Sequence, residues 1–206
     1  MNLALFSEIS VRDYYDTAVT QQAERRVFNI PDSDLRMQPA QQIIDGILTI
    51  LSPGRLVLDP VLNEEVRTDT TDRLRIRRWL EFSGSARLLT LRPRQYYATP
   101  PRVSLLQAPA AGQAGRVLLE MTVRTLEEKT DFDRYCTSEF AKVLEYAGWV
   151  NEDLDHYECG AREWLLTLID AKITRLRAHA RPDEMDGSAQ DHAAGKSLPL
   201  SKLSSN

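Results

Sequence analysis

Asp72-Arg73-Leu74-Arg75-Ile76-Arg77-Arg78-Trp79-Leu80-Glu81-Phe82 decides how the middle of this chain is read. At roughly 100° per residue, Ile76, Trp79, Leu80 and Ser83 gather on one side of a helix, and Thr70, Thr71, Leu74, Arg75 and Arg78 lie on the other. The spacing predicts a helix from about Asp72 to Phe82, apolar inside and cationic outside, closed by Ser83-Gly84-Ser85. Upstream, Leu56-Val57-Leu58 reads as a short strand, Asp59-Pro60 as a turn, Val61 to Val66 as a short helix and Arg67 to Thr71 as a polar turn. Downstream, Ala86 to Leu91 and Tyr96 to Thr99 read as two strands around the turn Arg92-Pro93-Arg94-Gln95.

Further upstream, a helix opens near Pro39 and carries Ile43, Ile44, Ile47, Leu48 and Leu51 on one face until Pro53-Gly54. In this order of helix, short strand, helix, helix and hairpin, Ile43 to Thr99 resembles the winged helix-turn-helix superfamily. Arg77 to Phe82 and Leu88-Leu89 are similar to its third helix and first wing strand. The resemblance covers a little over a quarter of the chain and implies a helix that enters the major groove of duplex DNA. Thr70 and Thr71 would bond phosphate at its N-terminus, and Arg75 and Arg78, one turn apart, would reach guanine edges. Arg73 and Arg77 complete that set, and Arg92 and Arg94 at the wing tip would meet neighbouring phosphates or the minor groove.

Four regions are expected. Residues 1–38 form an N-terminal helical segment, in which Ser10-Val11-Arg12-Asp13 has the capping-box form ahead of a helix to about Phe28. Residues 39–108 form the basic winged-helix-like module. Residues 114–181 form a helical acidic module: a helix from Arg116 to Glu128, a turn-like Asp133 to Tyr135, a helix from Ser138 to Ala147 capped by Gly148, and a long helix from about Tyr157 to Ala178. Leu144-Glu145-Tyr146-Ala147-Gly148 repeats the phrase Leu80-Glu81-Phe82-Ser83-Gly84, which points to a diverged second copy, although helix–glycine junctions share such residues by chance as well. Residues 182–206 are polar without periodicity and read as disordered. The fold class expected is mainly α with short β-hairpin wings (α+β), built as tandem winged-helix-like modules plus a long C-terminal helix.

The chain has 206 residues, 42% hydrophobic and 27% charged, and a net charge of −4, so any nucleic-acid site must be local. Such a locality exists. Between Arg67 and Arg102 nine arginines face three acids, a net charge of +6, and between Asp131 and Glu158 two cations face eight acids, a net charge of −6. All nine basic residues in the first stretch are arginine, which favours bidentate contacts. The competing reading is that these arginines pair with acids of the remaining surface or of another copy.

Two cysteines make no disulfide scaffold, the N-terminus lacks a basic leader and no apolar run is long enough to span a membrane, so a cytoplasmic protein is expected. Phosphate-loop, dinucleotide, serine-hydrolase and zinc-protease signatures do not occur. Cys136, His156 and Cys159 are a weak zinc set, and Glu127-Glu128-Lys129 matches only half of a nuclease motif and lies in a helical context. The expectation is therefore a non-catalytic double-stranded-DNA-binding protein without metal or cofactor. It would act as a transcriptional regulator or as an accessory subunit of a DNA system such as phage defence. It would dimerise through the 157–178 helix and reach a protein partner through the acidic module. A scaffold that binds protein alone is the alternative.

Overall fold

In the computed structural model, which describes residues 5–68, 73–107 and 113–180, the segment expected to be the recognition helix is a strand. Five strands form one antiparallel sheet: β1 (Val57–Leu58), β2 (Asn63–Thr68), β3 (Leu74–Ser83), β4 (Ser104–Gln107) and β5 (Gly115–Val123). β1 and β2 share one edge of β3, β5 lies on the other, and β4 closes the sheet beyond β5. The letters of β3 satisfy two periods at once. Leu74, Ile76, Arg78, Leu80 and Phe82 also recur at every second residue, and β5 supplies Val117 opposite Leu80 and Leu119 opposite Arg78. With such a partner the strand buries Ile76, Leu80 and Phe82.

The same contest corrects three neighbouring expectations. The helix expected over Arg116 to Glu128 is β5 followed by the start of the long helix, and the short helix expected over Val61 to Val66 is largely β2. Of the two wing strands, Ala86–Thr90 is a 3-10 turn, and Tyr96 to Thr99 has no regular structure. The tandem winged-helix order is thus replaced by mixed α structure on an antiparallel sheet, and the boundary expected at 108–114 separates two strands of that one sheet. Gly84 ends β3 at φ +95°, where a Cβ would lie 2.0 Å from the Arg55 carbonyl oxygen, so only glycine fits.

The helices are α1 (Val11–Tyr14), a π-helical turn (Tyr15–Thr20), α2 (Gln21–Phe28), α3 (Asp32–Met37), α4 (Ala40–Leu51) and α5 (Leu126–Ala180). Ser10 Oγ accepts the Asp13 amide at 3.0 Å, and Pro39 stands at the N-cap of α4. α5 has 55 residues and runs about 80 Å. It merges the separate helices and the turn expected between Asp133 and Ala178. No proline interrupts it, and Gly148, expected as a cap, is an interior residue flanked by buried Tyr146, Ala147 and Val150. Its start is capped reciprocally: Thr125 Oγ1 accepts the Glu128 amide and Glu128 Oε2 accepts the Arg124 amide.

α5 is the spine. It packs against β1 and β5 and against each of α1 to α4. One continuous core runs from Ile76, Leu80, Val117 and Leu119 of the sheet through Phe132, Phe140, Val143 and Val150 of α5 to Val19, Ile44 and Leu48 of the N-terminal helices. Among the described residues, no helix is long and apolar enough to cross a membrane.

Candidate functional site

Of the eight residues expected to contact DNA, Thr70 and Thr71 lie outside the described residues, as does the 182–206 tail. Arg73 stands just before β3 and is half-buried. Arg75 and Arg77 project from the outer sheet face, where their Nε atoms both donate to Glu120 at 2.6 Å, on the neighbouring strand. Burial pushes the Glu120 carboxyl up, but the bonds from Arg77 and Arg75 outweigh it and hold the carboxyl below its ordinary range. Arg78 points the other way, toward the core. Its side chain is 14% exposed, donates to Glu64 on β2 through Nε at 2.7 Å and forms an ion pair with Asp133 on α5 at 3.0 Å. Arg94 donates its backbone amide and its Nε to Asp153 of α5, at 2.7 and 2.6 Å. Arg92 is exposed, with its guanidinium over the Tyr96 ring, 5.8 Å from its centre, and the Arg94 guanidinium lies 5.9 Å from the centre of Tyr157.

Arginines of the cationic stretch are therefore matched to acids of this chain, and two of them, Arg78 and Arg94, to the anionic stretch. Arg55 joins them, bonding Asp155 at 2.9 Å and Glu158 at 3.1 Å, and Arg67 is taken by Glu65 at 2.8 Å. The segment expected to be a wing is strapped along α5 instead. The backbone amides of Arg102, Tyr97 and Arg94 donate to Glu139 Oε2 (2.6 Å), Tyr146 Oη (2.7 Å) and Asp153 Oδ2 (2.7 Å). Those three acceptors recur every seventh residue, so they stack two turns apart on one face of α5. Asn151 does the same for the chain before β1, accepting the Leu56 amide and donating to its carbonyl. These four side chains satisfy backbone groups that regular structure leaves unpaired.

The zinc set does not assemble. Cys136 and Cys159 are 23 residues apart on one continuous helix, about 34 Å. Cys136 is buried, and burial pushes its thiol up to about 11. No group of three His, Cys, Asp or Glu among the described residues could hold a metal ion. Glu127 and Lys129 sit in the first turn of α5, where Glu128 serves the cap.

What the sequence reading did not single out is a trough of about 590 Å³ between α2 and the C-terminal part of α5. Val27, Phe28, Trp164, Leu168 and Leu176 form its apolar lining, and Glu24, Arg25, Lys172, Arg175 and His179 its polar margin. Both walls are fixed. Trp164 Nε1 donates to Glu24 at 2.6 Å, and Lys172 Nζ donates to the carbonyls of Phe28 (2.9 Å) and Ile30 (2.6 Å), closing the C-terminus of α2 with a cation. Phe28 is left 79% exposed and Trp164 46% exposed. The available signal was the breadth of the apolar stripe from Ala161 to Leu176, wider than one packing partner needs. The chain matches none of the family models, curated proteins or solved structures compared with it.

Proposed function

We propose that this chain is a non-catalytic adaptor that binds another protein through the trough between α2 and α5. The observation that carries the reading is the pair Phe28 and Trp164, two exposed aromatic side chains on walls locked by Lys172 and Glu24. Aromatic anchors on rigid elements are the usual energetic centre of a protein interface, and covering Phe28 alone is worth about 1.5–3 kcal/mol. The acidic stretch from Asp131 to Glu158, the expected contact for a partner, spends Asp133, Glu139, Asp153, Asp155 and Glu158 on internal bonds. Self-association through the 157–178 helix competes for the same surface.

Tagged full-length chain and its Phe28→Asp variant, recovered in parallel from the native cells, test the proposal. A defined protein partner accompanies the first and not the second. Equal recovery by both, with the variant melting at the same temperature, would contradict it.

Duplex DNA is the second reading, favoured by Arg92 exposed over Tyr96, a cation and a ring that suit phosphate and base contacts. A winged-helix form of that reading has β3 where its third helix should stand. Retardation of random duplex in a gel, steeply weakened by salt and lost in Arg92→Ala, would favour it over the adaptor.

A further inference from the structure

We infer that the trough receives an acidic amphipathic helix of a partner protein, a proposal that rests on the protein-binding reading and names its ligand class. Shape comes first. From Trp164 to His179 the α5 wall runs about 22 Å, enough for four turns of a second helix. Val27, Phe28, Leu168 and Leu176 give it the apolar lining that the helix-in-groove mode uses.

Charge then selects the occupant. Six arginines outside the trough, Arg55, Arg75, Arg77, Arg78, Arg94 and Arg162, hold carboxylates of this chain. Arg25 and Arg175 on the trough margin are exposed and hold no carboxylate among the described residues. The acid within the trough, Glu24, is engaged by Trp164, and Glu163 and Asp170 lie roughly 100–120° round α5 from Trp164, away from the trough. An apolar floor beneath unmatched guanidinium groups is complementary to a helix with apolar residues on one face and carboxylates along its flanks. A second copy of the chain fits less well, because a two-fold contact would set the same cationic margin against itself.

The test is fluorescence anisotropy on the full chain, with a labelled amphipathic peptide of about eighteen residues, leucine on one face and glutamate on its flanks, and a twin with lysine for glutamate. The acidic peptide is expected to bind saturably and about tenfold or more tighter than its twin at low salt. Phe28→Asp should weaken it by about tenfold or more, and Arg175→Glu should erase most of the preference for acid. Phe28 and Arg175 are exposed, so both variants keep the fold, and thermal melts check this. Binding of the lysine twin as tight or tighter, lost in Phe28→Asp, overturns the acidic ligand and leaves the adaptor reading standing. Binding of neither peptide overturns the inference, and if partner recovery is also indifferent to Phe28→Asp, the adaptor reading falls with it. Displacement of the acidic probe by a peptide of residues 181–206, or sedimentation as a dimer that excludes the probe, would give the trough to this chain itself and overturn the proposal.

Discussion

Glu139 is 5% exposed, yet its carboxyl lies below the ordinary glutamate range. Burial pushes it up, but the Arg102 amide and Lys142 Nζ, both at 2.6 Å, favour the ionised form by more. A folded value lowered in this way makes the carboxylate's contribution complete above the unfolded value of about 4.3, and the contribution is lost as pH falls through the folded value. Glu120 has the same sign. Acid should therefore destabilise the chain below about pH 4.5. Glu139→Gln should cost about 1–3 kcal/mol at neutral pH and should lose less of its remaining stability on acidification, as read by thermal melts across that range. An unchanged acid limb in the variant would mean that folding does not lower the Glu139 pKa. Cysteine chemistry separates by the same logic of burial. An alkylating reagent at neutral pH should label exposed Cys159 and leave Cys136 intact until the chain unfolds, with peptide mass mapping as the readout.

At the scale of elements, the continuity of α5 makes a direct prediction at Gly148. A Cβ there meets nothing within 4 Å. In an unbroken helix, Gly148→Ala should stabilise the chain by about 0.5–1 kcal/mol in a denaturant titration. A glycine that capped a helix end, as the local sequence invites, would instead make alanine destabilising. Elements decided by near neighbours were legible in the sequence: the Ser10 cap, the apolar face of α4, the short strand β1 and the apolar stripe of α5. β3 was not, because Leu74 to Phe82 satisfies both a helical and a two-residue period, and the choice is made by Val117 and Leu119 across the sheet. The trough was equally hidden. Trp164 and Leu168 stood in a visible stripe, but the exposed position of Phe28 depends on Lys172, 144 residues away, closing the end of α2.

For the whole molecule, one core joins the sheet, the spine and the N-terminal helices, and Arg78 and Arg94 tie the cationic stretch to acids of α5. Chains retaining only Trp79 or only Trp164 should therefore unfold at the same denaturant midpoint, one reporting on the sheet and the other on the far end of α5. Separate midpoints would restore two modules. Internal matching also leaves the guanidinium groups of β3 engaged and the trough margin uncommitted, which is the central claim. It is tested most directly by titrating the full chain, in one low-salt buffer, with labelled random duplex and with the acidic amphipathic peptide. The account predicts saturable peptide binding that Phe28→Asp abolishes and no duplex binding. Salt-sensitive duplex binding that disappears when Arg75, Arg77 and Arg78 are replaced by alanine, in a chain that still folds, would contradict it.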